Sequence, residues 1–580
     1  MKKKSVLKLV LNLFKFFNKK RKLQIFFIFF LAIFSATAEL VTIGSLIPFM
    51  DLMIEPARIL NYPFLKNIFT TEKVADTKNV MIYMTIIFIS LIIFSTLIKI
   101  SIAYFSISVV HGIGHDLSVN IFRSTIYQPY YFHLRNNTSK TITNLSRAGA
   151  AIGTLHLIVQ SFVSLIISVS IIFMLLYLDY KLTIIGGSIL LFFYLTISLF
   201  FKRQLYLNSF KISNNEESRV KNIQESIGGI RETILGNMYK LFLHNFKYID
   251  WTMNKALIKN TTITLIPSHF IMMIAMSSLT LLIFHKSFGD GGIINALPII
   301  AGLILGAQKI IPQLQIVYSG WSKAQGNYKI IDEVLLVLKK LKSNLDIQNS
   351  SCKKMSFKNE IKIKSLAFKH HNSKSNIFQN VSMIIKKNQV VGISGDTGCG
   401  KSTLLDCIMG LLIPRNGAIQ IDSISLNKKN IKNWQKNISH VPQFIYLTDA
   451  SILENITFGI EKSKIDKNRL IESCKIAEIY KFIKSKKNGF NYIVGERGGR
   501  ISGGQRQRIG LARALYLNKE LLVLDEATNA LDEKTEKKIF NNLKQFRKNT
   551  TVISITHKKS LIKYFDTHFV FLNNKLKKFK

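Results

Sequence analysis

The chain has 580 residues, 48% of them hydrophobic and 19% charged, with Lys plus Arg at 79 and Asp plus Glu at 34. That apolar content excludes a disordered chain, and the length exceeds one ordinary domain. The net charge of +45 raises nucleic-acid binding, yet the basic residues punctuate long apolar stretches, as in a membrane protein, and no nucleic-acid partner is expected.

In chain order, residues 1–22 hold nine basic residues and no acidic one. The apolar run from Leu23 to about Ile54 is longer than a secretory signal core and predicts a first membrane helix, with Glu39 an unusual acid inside it. Val80 to about Val110, Leu157–Leu178, Leu182–Phe201, Ile263–Phe284 (with Pro267 inside) and Ile293–Tyr318 predict five more. Each approaches or exceeds the ~20 residues that cross a bilayer. Six spans place both ends on one side. The 51–79 loop holds four basic and four acidic residues, whereas 202–260 holds ten basic and five acidic. With the N-terminal cluster, this predicts cytoplasmic termini.

Links 111–150 and 202–260 are polar and poor in Gly and Pro, so helices are expected to run on beyond the membrane. Leu60, Phe64 and Ile68 fall at helical spacing and predict a short surface helix in the 51–79 loop. Residues 327–345 read as an amphipathic connector. From about Ile361, β-branched runs alternate with helical patterns. Ile361–Phe368, Val390–Ser394, Leu521–Leu524 and Thr551–Ile555 are strand candidates of an α/β domain. Cys352, Cys399, Cys407 and Cys474 form no CxxC pair, which favours a reducing compartment.

Three motifs carry chemistry. Gly395-Asp396-Thr397-Gly398-Cys399-Gly400-Lys401-Ser402, followed by Thr403, fits G-x-x-x-x-G-K-[ST] between a strand and a helix. Glycines let backbone N–H groups curl around phosphates, and the helix N-terminus adds positive potential. Lys401 is expected to reach the β- and γ-phosphates and Ser402 to hold Mg2+. In Leu521-Leu-Val-Leu-Asp525-Glu526, a buried strand delivers two carboxylates to its C-terminal end, where ligands bind in such sheets. Asp525 is expected at Mg2+ and Glu526 at the attacking water. Ser502-Gly503-Gly504-Gln505 places a Ser and two glycines at a helix start, a second phosphate-binding surface.

These residues resemble the nucleotide-binding domain of an ATP-binding cassette (ABC) transporter: Gly395–Thr403 its Walker A loop, Leu521–Glu526 its Walker B strand, Ser502–Gln505 its signature. Gln443 in Val441-Pro-Gln443 looks like the Q-loop residue, Ala530-Leu-Asp532 the D-loop, His557 the switch histidine, and Val494-Gly-Glu496-Arg-Gly498 the X-loop of exporters. The six spans resemble those of exporter half-transporters. The resemblance implies an all-α six-helix transmembrane domain at 1–328, a linker at 329–355, and an α/β P-loop NTPase cassette at 356–580. It further implies a homodimer binding ATP and Mg2+, with Ser502 and Gly504 facing the partner's γ-phosphate. Glu526 would be the base, His557 would steady the γ-phosphate, and Gln443 would join Ser402 and Asp525 at the metal. The sequence departs from the pattern at Ile501, where Leu is usual, and at His370, which stands for the aromatic that stacks on adenine.

Pro129-Tyr130-Tyr-Phe-His133 and Ile223–Met238 resemble coupling helices seated near Gln443 and Glu496. In the spans, Lys99 and Lys309 are candidate cavity residues for an anionic headgroup, with Glu39 a third charged residue. Ala38-Glu39, Ile47-Pro-Phe49 and Lys309-Ile-Ile-Pro312 are similar to flippases of lipid-linked oligosaccharides, although Ser268, not Arg, follows Pro267. The expectation is ATP-driven export or flipping of an amphipathic or lipid-linked substrate at a bacterial inner membrane. A multidrug, lipid A-type or peptide exporter is the alternative. No peptidase domain is expected ahead of the spans, which disfavours a processing peptide exporter. From another class, a non-transporting ABC ATPase would regulate a membrane partner.

Overall fold

The structure is a computed structural model that describes residues 5–54, 77–178, 180–287, 292–345, 353–369, 375–546, 550–572 and 575–579. It divides into two units, one of Met1–Gln128 with His133–Asp346, the other of Pro129–Phe132 with Ile347–Lys580.

The first unit is helical. Its elements are α1 (Val6–Phe14), α2 (Lys19–Gly44), α3 (Leu46–Ile54), α4 (Thr77–Ile126), α5 (Tyr130–Arg135, shared with the second unit), α6 (Thr138–Leu178), α7 (Tyr180–Gly228), α8 (Ile230–Leu235), α9 (Tyr239–Ser287), α10 (Gly292–Gly326) and α11 (Tyr328–Leu345). Among the described residues, five helical stretches are long and apolar enough to cross a membrane, within Lys19–Ile54, Lys78–Ile126, Thr138–Leu178, Thr183–Gly228 and Tyr239–Ser278. The sixth expected span falls on the continuous helix α10. The first expected span is instead two helices, parted at Ser45.

Helices α4, α6, α7 and α9 each continue past the apolar stretch into the polar link beside it. Ile223–Met238 contains a chain reversal, with the short α8 between α7 and α9. The helix expected at Leu60, Phe64 and Ile68 lies outside the described residues.

Small residues let α6 and α10 approach closely, as helices in lipid require. A Cβ on Gly320 would collide with Ser161 Oγ and Leu157 O. Ser161 Oγ instead donates to Ile316 O at 3.0 Å. Beyond the apolar stretch, Arg147 is 1% exposed. Its guanidinium meets Glu333 at 2.5 Å and donates to Ser213 O and Oγ at 2.9 Å, so one buried cation ties α6 to α7 and α11.

The second unit has two sheets. An antiparallel four-stranded sheet has the order β2-β1-β4-β5, from β1 (Glu360–Phe368), β2 (Phe378–Lys386), β4 (Asn416–Ile421) and β5 (Ile424–Ser425). The other has the order β10-β9-β3-β8-β7-β6, from β3 (Val390–Gly395), β6 (Ile438–Val441), β7 (Leu521–Asp525), β8 (Thr551–Ile555), β9 (Thr567–Leu572) and β10 (Lys575–Lys578). Its strands are parallel except for β10. Strands β7 and β8 are buried along nearly their whole length, which is why they read as continuous apolar runs rather than alternating ones. The helices that matter to the site are α12 (Lys401–Ile408), α13 (Gly503–Tyr516) and α14 (Glu533–Phe546).

Register sets the site. Ile393 and Asp525 both lie beside Ile555, and Val441 lies beside Leu524. Four strands therefore end at one edge, releasing the P-loop, Gln443, Glu526 and His557 together. Cys407 and Cys474 are buried and unpaired, and burial pushes both thiols up to about 12, which makes them inert.

Candidate nucleotide site

The P-loop leaves β3 through Gly395, whose φ of 146° suits glycine, and enters α12 through Gly400 at φ 100°. A Cβ on Gly400 would stand 2.6 Å from Ile377 Cγ2. Backbone N–H groups can thus curl as a side-chain-bearing residue would forbid. Lys401 is 5% exposed, and its Nζ donates to the carbonyls of Gly395 at 2.9 Å and Asp396 at 2.7 Å, with Cys399 Sγ at 3.8 Å. The ammonium is therefore held inside the loop by weak neutral acceptors, which a phosphate would outcompete. Ser402 Oγ donates to Asp525 Oδ1 at 3.2 Å. This pair of hard oxygens suits Mg2+.

Glu526 follows β7 in the left-handed region at φ 50°. Three side chains converge on its carboxylate. Gln443 Nε2 donates to Oε2 at 2.9 Å, Asn529 Nδ2 donates to the same oxygen at 2.7 Å, and His557 Nε2 lies 3.0 Å from Oε1. Burial raises the Asp525 carboxyl, and the neighbouring Glu526 charge adds to it, against Ser402 and Lys401. Asp406 on α12 is pushed up to about 6, first by burial and then by Asp525.

Asn529 and Asp406 are the residues that sequence reasoning missed. Asn529 is returned to Glu526 by a turn in which its N–H donates to Glu526 O at 3.2 Å. An Asn three residues beyond the acid was the available signal. Asp406 had none beyond its position one turn along the P-loop helix.

Ser502 caps α13 in a capping box. Its Oγ accepts from Gln505 N at 3.3 Å, and Gln505 Oε1 accepts from Ser502 N at 3.0 Å. Gly503 and Gly504 form the first turn, and Gln507 Oε1 accepts from Ala530 N at 2.9 Å. Asp532 starts α14 by accepting from Thr535 N at 2.9 Å, a bond that holds its carboxyl below the usual range. The hydrogen bonds of Ser502 and Gln505 are thus to each other, not to the P-loop.

Of the other expected residues, Thr397, Gly398 and Thr403 lie in the P-loop and at the start of α12, while His370 lies outside the described residues. Glu496 is exposed on a short 3-10 turn. Tyr130 belongs with Pro129–Phe132 to the second unit, where its neighbour Tyr131 packs on the core of Phe378 and Val391. The Tyr130 hydroxyl is raised, first by burial and then by Asp406 and Asp525.

Residues 378–529 match the ABC transporter family model, and this segment is an ABC transporter domain. Over 225 residues the chain is 37% identical to the alpha-hemolysin translocation ATP-binding protein HlyB of Escherichia coli O157:H7, covering 38% of this chain and 32% of that one. It is 34% identical over 257 residues to multidrug resistance protein pgp-1 of Caenorhabditis elegans, covering 44% and 19%. It is 39% identical over 208 residues to the leukotoxin translocation ATP-binding protein LktB of Mannheimia glucosida, covering 36% and 29%. The chain spans about a third or less of the length of these relatives. A solved structure of a bacterial Atm1-family ABC exporter with ATP bound has the same fold, with a TM-score of 0.73, 18% identity, and coverage of 96% of this chain and 94% of that one.

Proposed function

We propose that this chain, whose cassette is an ABC transporter domain that binds ATP, is one half of an ATP-hydrolysing exporter. The observation that carries the reading is the convergence of Gln443, Asn529 and His557 on Glu526 beside Ser402 and Asp525. A carboxylate that takes two amide donors on Oε2 and has His557 beside Oε1 is fixed in orientation, as a base aimed at one water must be. Lys401 and the backbone amides at the start of α12 bind the β- and γ-phosphates. His557 donates toward the γ-phosphate, where charge develops. Ser402, Gln443 and Asp525 would hold Mg2+, which supplies charge neutralisation at the phosphates.

Ser502 and Gln505 bond to each other rather than to their own P-loop, which is compatible with a head-to-tail homodimer with each ATP between two chains. The apolar helices embed the first unit in a membrane, and the basic N-terminus and 202–260 link favour a bacterial inner membrane with a cytoplasmic cassette. The proposed cargo is amphipathic and lipid-linked, such as a lipid-linked oligosaccharide. The relatives' names, a toxin translocator and a multidrug protein, define the competing cargoes.

The test is ATPase turnover in proteoliposomes with and without lipid-linked oligosaccharide. Glu526→Gln is expected to retain ATP binding and to lose hydrolysis by a factor of at least about 100, the scale of one general base. Wild-type turnover in that variant removes the assignment. Lipid stimulation above matched phospholipid supports the cargo. Stimulation by drugs or peptides alone replaces it.

A further inference from the structure

Glu39 on α2 is 2% exposed, inside an apolar helix. Its Oε1 takes the Lys309 ammonium of α10 at 2.6 Å. Its Oε2 pairs with Lys99 of α4 and accepts from Ser95 Oγ, one turn earlier on α4, at 3.1 Å. Three helices thus meet at one carboxylate. Such a charge inside a span is costly unless paired. One lysine would neutralise it, and the second leaves the cluster at +1.

The two signs are not equally sealed. The lysine side chains are 40% and 26% exposed, against 2% for the acid. An ammonium carries three donors and no acceptor. Each lysine gives one to Glu39 and keeps others for a second anion. Snorkelling does not account for this arrangement, because it carries an ammonium toward the interface, whereas both ammoniums here turn to a buried acid.

We propose that Glu39 is the resident counter-anion of a two-lysine site for a phosphoryl group, and that it sets how tightly that group is held. This rests on the reading of the chain as an exporter of amphipathic cargo. One negative charge added to the intact cluster neutralises it. A second must displace Glu39 from a lysine. The acid is therefore an internal competitor that keeps a doubly charged headgroup releasable, as a transported group has to be. Removing its charge raises the cluster to +2 and removes the competitor at once.

The test reads binding without nucleotide. The full-length protein in phosphatidylcholine nanodiscs is titrated with dioleoyl phosphatidic acid, with extra phosphatidylcholine as the uncharged control and inorganic pyrophosphate as a soluble anion. Glu39→Gln is expected to bind phosphatidic acid roughly three- to tenfold more tightly than wild type, and Lys99→Gln and Lys309→Gln to bind it more weakly by a similar factor. Phosphatidylcholine binding should not move. Structural damage would lower affinity in all three variants, so the opposite signs carry the proposal. If pyrophosphate follows the same order, the phosphoryl group alone is recognised. If only phosphatidic acid does, the lipid tail is required. Unchanged or weaker phosphatidic acid binding by Glu39→Gln overturns the proposal, as does undiminished binding by both lysine variants. Because no ATP is present, failure here leaves the Glu526 result standing, and failure of hydrolysis leaves this one standing.

Discussion

Asp406 and Asp525 put two carboxylates in one half-buried corner beside the P-loop, and the fold bears the cost. Burial and the Asp525 charge raise Asp406 from its ordinary 3.8 to about 6. Between those values the folded chain binds more protons at this site than the unfolded chain. Stability therefore falls as pH rises through that window, and above it the ionised Asp406 opposes folding in full. Asp406→Asn is expected to raise the melting temperature at pH 7.5 and to lose that advantage as pH falls toward 4. Thermal melts of both proteins across that range check it, and a gain independent of pH refutes it. The Asp406–Asp525 pairing was not visible in the sequence. The P-loop and the Leu521–Glu526 strand were legible because their chemistry demands fixed residue types at fixed spacing. Asp406 and Asn529 act through a helix turn and a left-handed residue, and only coordinates supply those.

Between elements, Lys558 matters more than its sequence neighbourhood suggests. It follows His557 after β8. Its Nζ reaches both oxygens of Glu536 on α14 at 3.1 Å, and the carbonyls of Thr528 at 3.3 Å and Leu531 at 3.4 Å. The Glu536 side chain is fully buried, while that of Lys558 is 32% exposed. The pair thus joins the loop that carries His557 to the turn that carries Ala530 and Asp532. Removing one partner of such a pair leaves a buried charge and costs about 3–5 kcal/mol when both are sealed, so about half that is expected here. Lys558→Ala should lower stability by about 2 kcal/mol and lower kcat more than the KM for ATP, with Lys558→Arg restoring both. Chemical denaturation with steady-state ATPase kinetics measures it. A loss of stability with unchanged kcat would make the pair a brace for α14 alone. The same scale explains what the sequence conveyed about elements. Long helices were legible because an apolar run and a polar run met with few breakers between them. The parting of α2 and α3 at Ser45 was not, because the apolar pattern runs straight across it, although Gly44 ends α2 and Pro48, which has no N–H for the Gly44 carbonyl, stands in the first turn of α3.

At the scale of the whole molecule, the proposed head-to-tail homodimer divides each ATP site between two chains. The P-loop, Glu526 and His557 lie at one sheet edge, while Ser502 and Gln505 spend their hydrogen bonds on each other at the start of α13. A second chain that brings its own α13 would complete the phosphate cradle, and closed two-fold pairing does so twice. That geometry has a consequence that a self-sufficient chain lacks. Lys401→Ala destroys the P-loop half of a site, and Gly504→Glu destroys the signature half. Each variant alone is expected to be inactive. Mixed dimers contain one doubly broken site and one intact site, made from the Lys401 of one chain and the signature of the other. With equal amounts and random pairing, half of the dimers are mixed, so about a quarter of the wild-type number of intact sites returns. The measurement is ATPase activity after co-reconstitution from dissociated chains, against each variant alone. Recovered turnover requires a site shared between chains. No recovery, in mixtures shown by differential tagging to contain mixed dimers, would mean either that each chain completes its own site or that both sites must be intact for one turnover. Trapping of radiolabelled nucleotide with vanadate separates those two, because a lone intact shared site still traps its nucleotide.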